Sequence, residues 1–427
     1  MKHIIGVFVL TSLINLVNAQ VNPELSKLIK QSFEYFPRLK ELEKTTEMGE
    51  VRIGIARSNY LPSFNGNASY NYVDPVGEAS FPVGPTETRT IQFQPHNNYN
   101  ANISLNQVLY DFGRTQAQID KAKSDLQNNQ YNREAARLQL ASQVATIYFG
   151  IIYLKEAIQL QDTIISFYIV NRNIVEGKIK QGDALKIDLN NVDNNIQQEE
   201  SRKIELQRLY NRQLALLKYT ANSNEVPSTS DFHLRRIAND ESSLQANPEV
   251  LAATQRVLSA EADLKYAQHQ QLPSLNVVAN AGFRNGYQPD IEEIRFNYLA
   301  GLNLTVPIFQ GRRLKQNILL SRKNVELNEI SKSNLSLTLQ KDLESVQADI
   351  QAYGKQIESY DSQIATANEA LRLNRVRYER GVAIYLDLLN ASTNLQRALT
   401  SKLQYEYQQC LGYIEEARLL GNKFWEE

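Results

Sequence analysis

NYNANISLNQVLYDFGR, residues Asn98–Arg114, changes its pattern partway along. In its first part Tyr99, Ala101, Ile103 and Leu105 alternate with Asn98, Asn100, Asn102, Ser104 and Asn106. A period of two marks a strand with one apolar and one polar face. Asp111-Phe112-Gly113-Arg114 breaks the alternation, and a long helical pattern rich in Gln, Lys, Ala and Asp follows. The arrangement then recurs. NYLAGLNLTVPIFQGRR, Asn297–Arg313, aligns with it at an offset of 199, which sets Asn98 on Asn297, Tyr99 on Tyr298, Ala101 on Ala300, Leu105 on Leu304 and Arg114 on Arg313. The chain is a tandem repeat, and each half is built around one strand-to-helix junction.

Working outward, residues from Asn22 to about Ser58 read as helix, with Pro37 after Phe36 marking a break or a new first turn. Leu61-Pro62-Ser63 opens a strand in which Phe64, Gly66, Ala68, Tyr70 and Tyr72 face one way and Ser63, Asn65, Asn67, Ser69 and Asn71 the other. Turn chemistry through Pro75, Gly77, Pro82, Gly84, Pro85 and Pro95 leads to the quoted strand, completing a hairpin over about 61–110. From Gly113 to about Lys180 the pattern is helical, with Leu138, Ala141, Ala145, Tyr148 and Ile152 stepping three and four residues apart as a packing seam. Gln181-Gly182-Asp183 turns the chain and a second helix returns from about Ala184 to Ala221.

Residues 222–244, with Pro227 and several Ser, read as a connector. The second repeat, 245–421, restarts the programme: Asn247-Pro248 matches Phe36-Pro37, and Leu272-Pro273-Ser274 matches Leu61-Pro62-Ser63, at an offset of 211. Its strands place Leu275, Val277, Ala279, Ala281 and Phe283 on one face, then Phe296, Tyr298, Ala300, Leu302 and Leu304, giving a hairpin over about 272–309. A helical hairpin over about 311–421 follows, turned by Gly381 and carrying a seam of Leu388, Ala391, Leu395 and Ala398 before a tail at 422–427. The turns repeat as well, Gly182 on Gly381, Ala184 on Ala383, Asp188 on Asp387 and Asn191 on Asn390.

The 427 residues carry 46 Lys+Arg against 47 Asp+Glu, so no nucleic-acid partner is implied. Residues 1–19 are expected to be a secretory signal: Lys2 gives the positive region, Ile4 to Val17 the apolar stretch, and Val17-Asn18-Ala19 a small-residue cleavage site before Gln20. No cysteine follows that site to take a lipid, and the single Cys410 leaves no disulfide framework or Cys-based metal site. The histidines His3, His96, His233 and His269 are scattered, and neither a P-loop nor a nucleophile elbow occurs. The expectation is no catalytic residue, no metal and no cofactor. Arg312, Arg313 and Lys315 form a small basic cluster suited to a headgroup layer or a solvated face. Beyond the signal no apolar run approaches the roughly 18–20 residues of a membrane-spanning helix; Phe149 to Leu154 is the densest patch.

Strands of about ten residues with this alternation have the length and pattern of transmembrane β-strands. Tyr70, Tyr72, Tyr99, Phe283, Phe296 and Tyr298 gather near the loop ends, where a barrel meets headgroups, and with Ile103, Leu105, Leu302 and Leu304 they are the candidate lipid-facing residues. A soluble sheet would alternate equally well, but no separate segment exists to cover its oily face. Four strands cannot close a barrel, and an open edge in lipid leaves backbone groups unpaired, so the chain must oligomerise. Three copies would give twelve strands, within the bacterial range.

Together the LPSFN and LPSLN strand starts, LYDFGR and PIFQGRR at the junctions, the turns at Gly182 and Gly381, and GVAIYLDLLNA from Gly381 resemble the TolC family of trimeric outer-membrane efflux channels. The resemblance covers essentially the whole mature chain in the same order. It implies an α+β membrane protein: a trimeric 12-stranded β-barrel, four strands per protomer, continuing into a long periplasmic α-helical barrel. It implies a passive exit duct for efflux or type I secretion, opened at its helical tips. The implied partners are two further copies, outer-membrane lipid, a periplasmic adaptor and an inner-membrane pump. Multidrug efflux, metal efflux and protein secretion share this scaffold.

The resemblance also nominates sites. Asp387 falls where the family has a pore-facing acid near the closed periplasmic end, and three copies would form a carboxylate ring. Asn390 stands where a second acid is often found, so the double ring is expected to be single. Ala383 replaces a basic residue sometimes found after the turn, which removes that salt-bridge latch. Asp188 holds the equivalent place in the first repeat, and Tyr378 is a candidate for holding neighbouring coils. Asp188 and Asp387 could equally be helix-starting acids near the positive end of the dipole. The turns Gly182, Asp183, Ala184 and Gly381, Val382, Ala383 are the candidate adaptor contacts. The reading from another class is a secreted coiled-coil structural or adaptor protein with its hairpins in a soluble β-domain.

Overall fold

Alternation of small or apolar residues with Asn and Ser produces strands that pair through their backbones and sort their side chains by face. The computed structural model describes residues 22–230, 232, 234 and 241–426. The signal read at 1–19 lies outside the described residues, as do His3 and His233.

In chain order the elements are α1 (Pro23–Tyr35), α2 (Pro37–Ser58), β1 (Ser63–Tyr72), β2 (Glu78–Pro82), β3 (Thr88–Gln92), β4 (Asn97–Tyr110), α3 (Arg114–Gln181) and α4 (Lys186–Ala221). A 3-10 helix at Glu241–Ala246 leads to α5 (Pro248–His269), β5 (Ser274–Arg284), β6 (Arg295–Thr305), α6 (Arg313–Glu379) and α7 (Tyr385–Leu419). At about 1.5 Å per residue α3, with 68 residues, is on the order of 100 Å long. No described helix is long and apolar enough to cross a membrane.

The chain divides into two compact units. One comprises Glu41–Arg133 and Glu249–Leu335 and holds every strand of the described residues. Its main sheet is antiparallel in the order β1-β4-β5-β6. The two hairpins have the same register: Ser63 pairs with Asn106 and Ser274 with Thr305, which are equivalent pairs under the two repeat offsets. The join between repeats pairs Ser104 with Asn280 and Leu105 with Ala279. The long turn region of the first hairpin contains a small hairpin of its own, β2 with β3, where the sequence reading expected only turns. β-branched Thr88, Thr90 and Ile91 supply its strand character between prolines that cap its ends. Helices repeat the strand order. α2 lies on α3, where a Cβ on Gly49 would stand 3.0 Å from Leu126 Cδ1. α3 lies on α5 through the Lys121–Asp263 ion pair at 2.7 Å and the Ser259 hydroxyl donated to Asp125 at 2.6 Å.

The other unit comprises the described residues up to Lys40, Glu134–Pro248 and Ser336–Glu427. The seam expected on α3 is its core: Ala141, Ala145, Tyr148 and Ile152 are fully buried and Leu138 nearly so. Asn22 caps α1, accepting from the Glu24 and Leu25 N–H groups, and its amide donates to the Tyr148 hydroxyl. The described start of the connector is docked on α1. Lys27 pairs with Glu225 at 2.7 Å, and Glu24 accepts from the Ser228 hydroxyl, the Ser228 N–H and the Tyr148 hydroxyl. Those Ser228 hydrogen bonds hold the Glu24 carboxyl below its usual pKa. The helical hairpins carry the same ion pair twice, Lys203–Asp162 and Lys402–Asp361, both at 2.6 Å and related by the offset of 199.

Candidate channel wall and helical tips

Register decides what the sheet presents. Tyr70 pairs with Tyr99, Ala68 with Ala101 and Phe64 with Leu105; Ala101 pairs with Phe283, Ile103 with Ala281; Ala281 pairs with Tyr298, Phe283 with Phe296, Val277 with Leu302 and Leu275 with Leu304. Paired residues share a face, so the apolar sides of all four strands merge into one surface. On it Tyr298 is 80% exposed and Leu302 68%, while Ile103, Tyr70, Tyr72, Tyr99, Phe283, Phe296 and Leu304 are also exposed and Leu105 is half-buried. The aromatic residues meet in neighbouring pairs, Tyr70 with Tyr99 at 5.2 Å and Phe283 with Phe296 at 5.5 Å between ring centres. A shallow apolar trough of about 950 Å³ runs along this face.

The opposite face is a ladder of amides and hydroxyls: Asn67 donates to Asn102 at 3.3 Å and to Ser104 at 3.2 Å, and Asn102 to Asn100 at 3.1 Å. Val278 and Leu299 interrupt it. Gly282 marks the tightest point, since a Cβ there would stand 2.2 Å from the Ala101 carbonyl oxygen.

Below β4 and β6 the chain makes the same left-handed step. Phe112 and Gly113 have φ of 55° and 87°, and Gly311 and Arg312 have 57° and 64°. In the first copy Asp111 is buried and accepts from the Gly113 N–H, the Thr115 N–H and the Thr115 hydroxyl. Burial works to raise the Asp111 carboxyl, but those hydrogen bonds, aided by the Arg114 charge, outweigh it and hold the pKa below the usual range.

In the helical unit the hairpin ends are built alike. The Gly182 N–H donates to Ile179 O and the Gly381 N–H to Tyr378 O, both at 3.1 Å; Asp183 N–H reaches Lys178 O and Val382 N–H reaches Arg377 O, both at 2.9 Å. Gly182 and Gly381 have φ of 84° and 73°, a conformation glycine adopts without strain. Gly182, Asp183, Gly381 and Val382 are exposed, Ala184 and Ala383 half-buried, and exposed Leu185, Ile187, Ile384 and Leu386 flank them.

Behind the turns Val175, Val192, Tyr378, Tyr385 and Leu388 form one buried cluster joining the ends of α3, α4, α6 and α7. Tyr378 is thus packed among coils of its own chain, edge-on to Tyr385. Its hydroxyl finds no hydrogen-bond partner among the described residues, and burial, then the Asp188 carboxylate, push its pKa up. Asp188, in the first turn of α4, reaches back to the N-cap, its carboxylate accepting from the Leu185 N–H at 3.1 Å. Asp387 and Asn390 are exposed on α7, on a different side from the buried Leu388 and Ala391. One residue went unnoticed in the sequence. Lys178 donates to the Tyr378 carbonyl and lies over its ring, yet it reads as one more lysine on a helix. Among the described residues no group of His, Cys, Asp and Glu gathers in numbers that could hold a metal.

Two strand-helix repeats, one continuous oily sheet face and helices of about 100 Å are the protomer fold of outer-membrane channels. The chain belongs to the outer membrane efflux protein family, whose sequence profile matches residues 28–222 and 241–422. It is 21% identical over 421 residues to outer membrane protein OprJ of Pseudomonas aeruginosa, a match spanning 95% of this chain and 85% of that one. It is likewise 21% identical to the pyoverdine export outer membrane protein OpmQ of Pseudomonas putida, across 94% and 87% of the two chains. Its fold superposes on the outer membrane protein VceC of Vibrio cholerae with a TM-score of 0.79 at 17% identity, over 94% and 97% of the chains. Membership places the protein in the outer membrane.

Proposed function

We propose that the chain is one third of a passive exit duct serving efflux or type I secretion. Three copies close a twelve-stranded barrel, and the helices extend it into the periplasm. The continuous apolar face of a sheet whose outer strands, β1 and β6, each have one unpaired edge carries this reading. Such a face suits lipid, and such edges must be paired in lipid. Two copies would give eight strands, a barrel whose interior side chains nearly fill it; three leave a water-filled bore lined by the Asn and Ser ladder.

The duct opens at the helical ends, where Asp387 of each copy contributes to a carboxylate ring that favours cations. The exposed aliphatic residues beside Gly182–Ala184 and Gly381–Ala383 offer an adaptor a small apolar footing, and an inner-membrane pump supplies the energy. The polar sheet face, with amides bonded to one another rather than to a covering layer, argues against a soluble coiled-coil protein. The deciding experiment is the mass of protein extracted from the outer-membrane fraction in mild detergent, followed by conductance in a planar bilayer. A trimer that conducts, with cation selectivity weakened by Asp387→Ala, is the expected result. A monomer soluble without detergent would sink the duct, and unchanged reversal potentials would sink the gate assignment alone.

A further inference from the structure

Within the strand-bearing unit the first repeat's junction is docked and the second repeat's is bare. Arg114 reaches into the turn between α5 and β5, donating from Nη2 to the carbonyls of His269 at 3.3 Å and Leu272 at 3.2 Å. Its equivalent Arg313 is exposed, and among the described residues its guanidinium hydrogen-bonds only to its own neighbour, Gln310, at 2.8 Å. Around it Ile308 is 94% exposed and Phe309 82%. The surface that would receive Arg313 also exists in duplicate. Under the offset of 211, His269 and Leu272 correspond to Ser58 and Leu61. The two turns have the same hydrogen bond, Leu272 N–H to His269 O at 3.0 Å and Leu61 N–H to Ser58 O at 2.9 Å. Leu61 is exposed, as are Met48, Val51 and Ile55 along α2.

We infer that the second junction of one copy docks on the α2–β1 turn of the next copy, reproducing between chains the joint that α3 and β4 make with α5 and β5 inside one chain. Arg313 donates to the carbonyls of Ser58 of the partner subunit and Leu61 of the partner subunit. Leu320, at the position of Lys121, packs against the apolar stripe on the partner's α2, replacing the Lys121–Asp263 ion pair of the internal joint. The same transfer fixes strand register. Ser104 opposite Asn280 becomes Asn303 opposite the partner subunit's Ser69, and Ile103 opposite Ala281 becomes Leu302 opposite the partner subunit's Tyr70. This register meets an independent requirement: Leu302 and Leu304 fall on the oily face and meet residues of that same face. A slip by one residue would set them against the Asn/Ser ladder. The inference rests on the oligomeric barrel of the proposed function but specifies which residues meet.

The test is a pair of cysteines in the full-length protein, Ser69→Cys with Asn303→Cys. Directly opposed strand residues lie about 4.5–5.5 Å apart at Cα, inside the range a disulfide bridges. Oxidised trimers should become covalent rings that survive SDS without reductant. The pair Asn65→Cys with Asn303→Cys is displaced by four residues, about 13 Å along the strand, and should leave monomers. In parallel, Arg313→Ala should dissociate the trimer at lower temperature than the parent, with Arg313→Lys between them. Intact trimers in which the displaced pair links, neither pair links, or Arg313→Ala is neutral would overturn this joint while leaving the duct standing. Monomers of the parent protein in detergent would overturn the barrel itself. If the cysteine pairs do not assemble, the Arg313 series decides.

Discussion

Lys178 and Tyr378 stand 200 residues apart in the chain, and the lysine grips the tyrosine twice: its ammonium donates to the tyrosine carbonyl at 2.7 Å and lies 4.5 Å from the centre of the ring. The pair ties the end of α3 to the end of α6 next to both turns. Lys178→Met keeps the stem and removes the charge, so it should cost about 1–2 kcal/mol at this end. If opening separates these helices, the variant also spends longer open. Single-channel recordings check this, and open times equal to the parent's would mean that the grip does not oppose opening.

Asp188 acts on the backbone before it acts on any ion. Asp188→Ala removes the acceptor for the Leu185 N–H and should lower thermal stability by about 1 kcal/mol, whereas Asp188→Asn keeps an acceptor oxygen and should lose less. Among the described residues the Asp387 carboxylate accepts no hydrogen bond at the start of α7, so Asp387→Ala should leave the melting curve nearly in place. Comparing the three melting curves separates the two acids.

Gly282 is a matter of space. Gly282→Ala drives a Cβ into the Ala101 carbonyl, and backbone must move to admit it. The expected outcome is loss of β4–β5 pairing and failure of outer-membrane assembly, read as absence of trimer. Gly177→Ala, on α3 with nothing within 4 Å of its Cβ, serves as the tolerated control.

Asp111 sets an acid limit on the junction. Its folded pKa lies below the unfolded value of about 3.8, so its contribution is fully present above that pH and fades as pH falls through the folded pKa. Asp111→Asn should be less stable than the parent at neutral pH and should lose less further stability below pH about 4. Unfolding midpoints across that range test the sign. A parallel fall in both proteins would show that other carboxylates govern acid unfolding.

The strands were legible because a period of two survives in single residues: Tyr99, Ala101, Ile103 and Leu105 need no partner to be recognised. The register of the join between repeats was not legible, because which residue of β4 faces which of β5 depends on backbone pairing between segments 170 or more positions apart, as for Ser104 and Asn280. The β2–β3 hairpin was hidden by its flanking prolines and its five-residue strands. At the tips the glycines announced the turns, since left-handed backbone selects them. Tyr378 could be placed near the gate by resemblance, but its burial arises from four helix ends converging, which no local pattern records. Lys178 and Asp111 owe their roles to acceptors and donors supplied by fold geometry, and neither residue type signals that alone.

The shared register of the two hairpins has a consequence for symmetry. Half of this chain is a complete building block, and six blocks would satisfy the same ring as three chains. Fusing blocks in pairs makes alternate seams chemically different: the seam within a chain holds Lys121 with Asp263, while the inferred seam between copies would set exposed Leu320 against exposed Met48, Val51 and Ile55. The ring is then threefold with a sixfold outline. Anything approaching its helical end meets two alternating sets of tips, one bearing Asp183 and the other Val382, and a cap of six identical subunits would have to seat the same face on both.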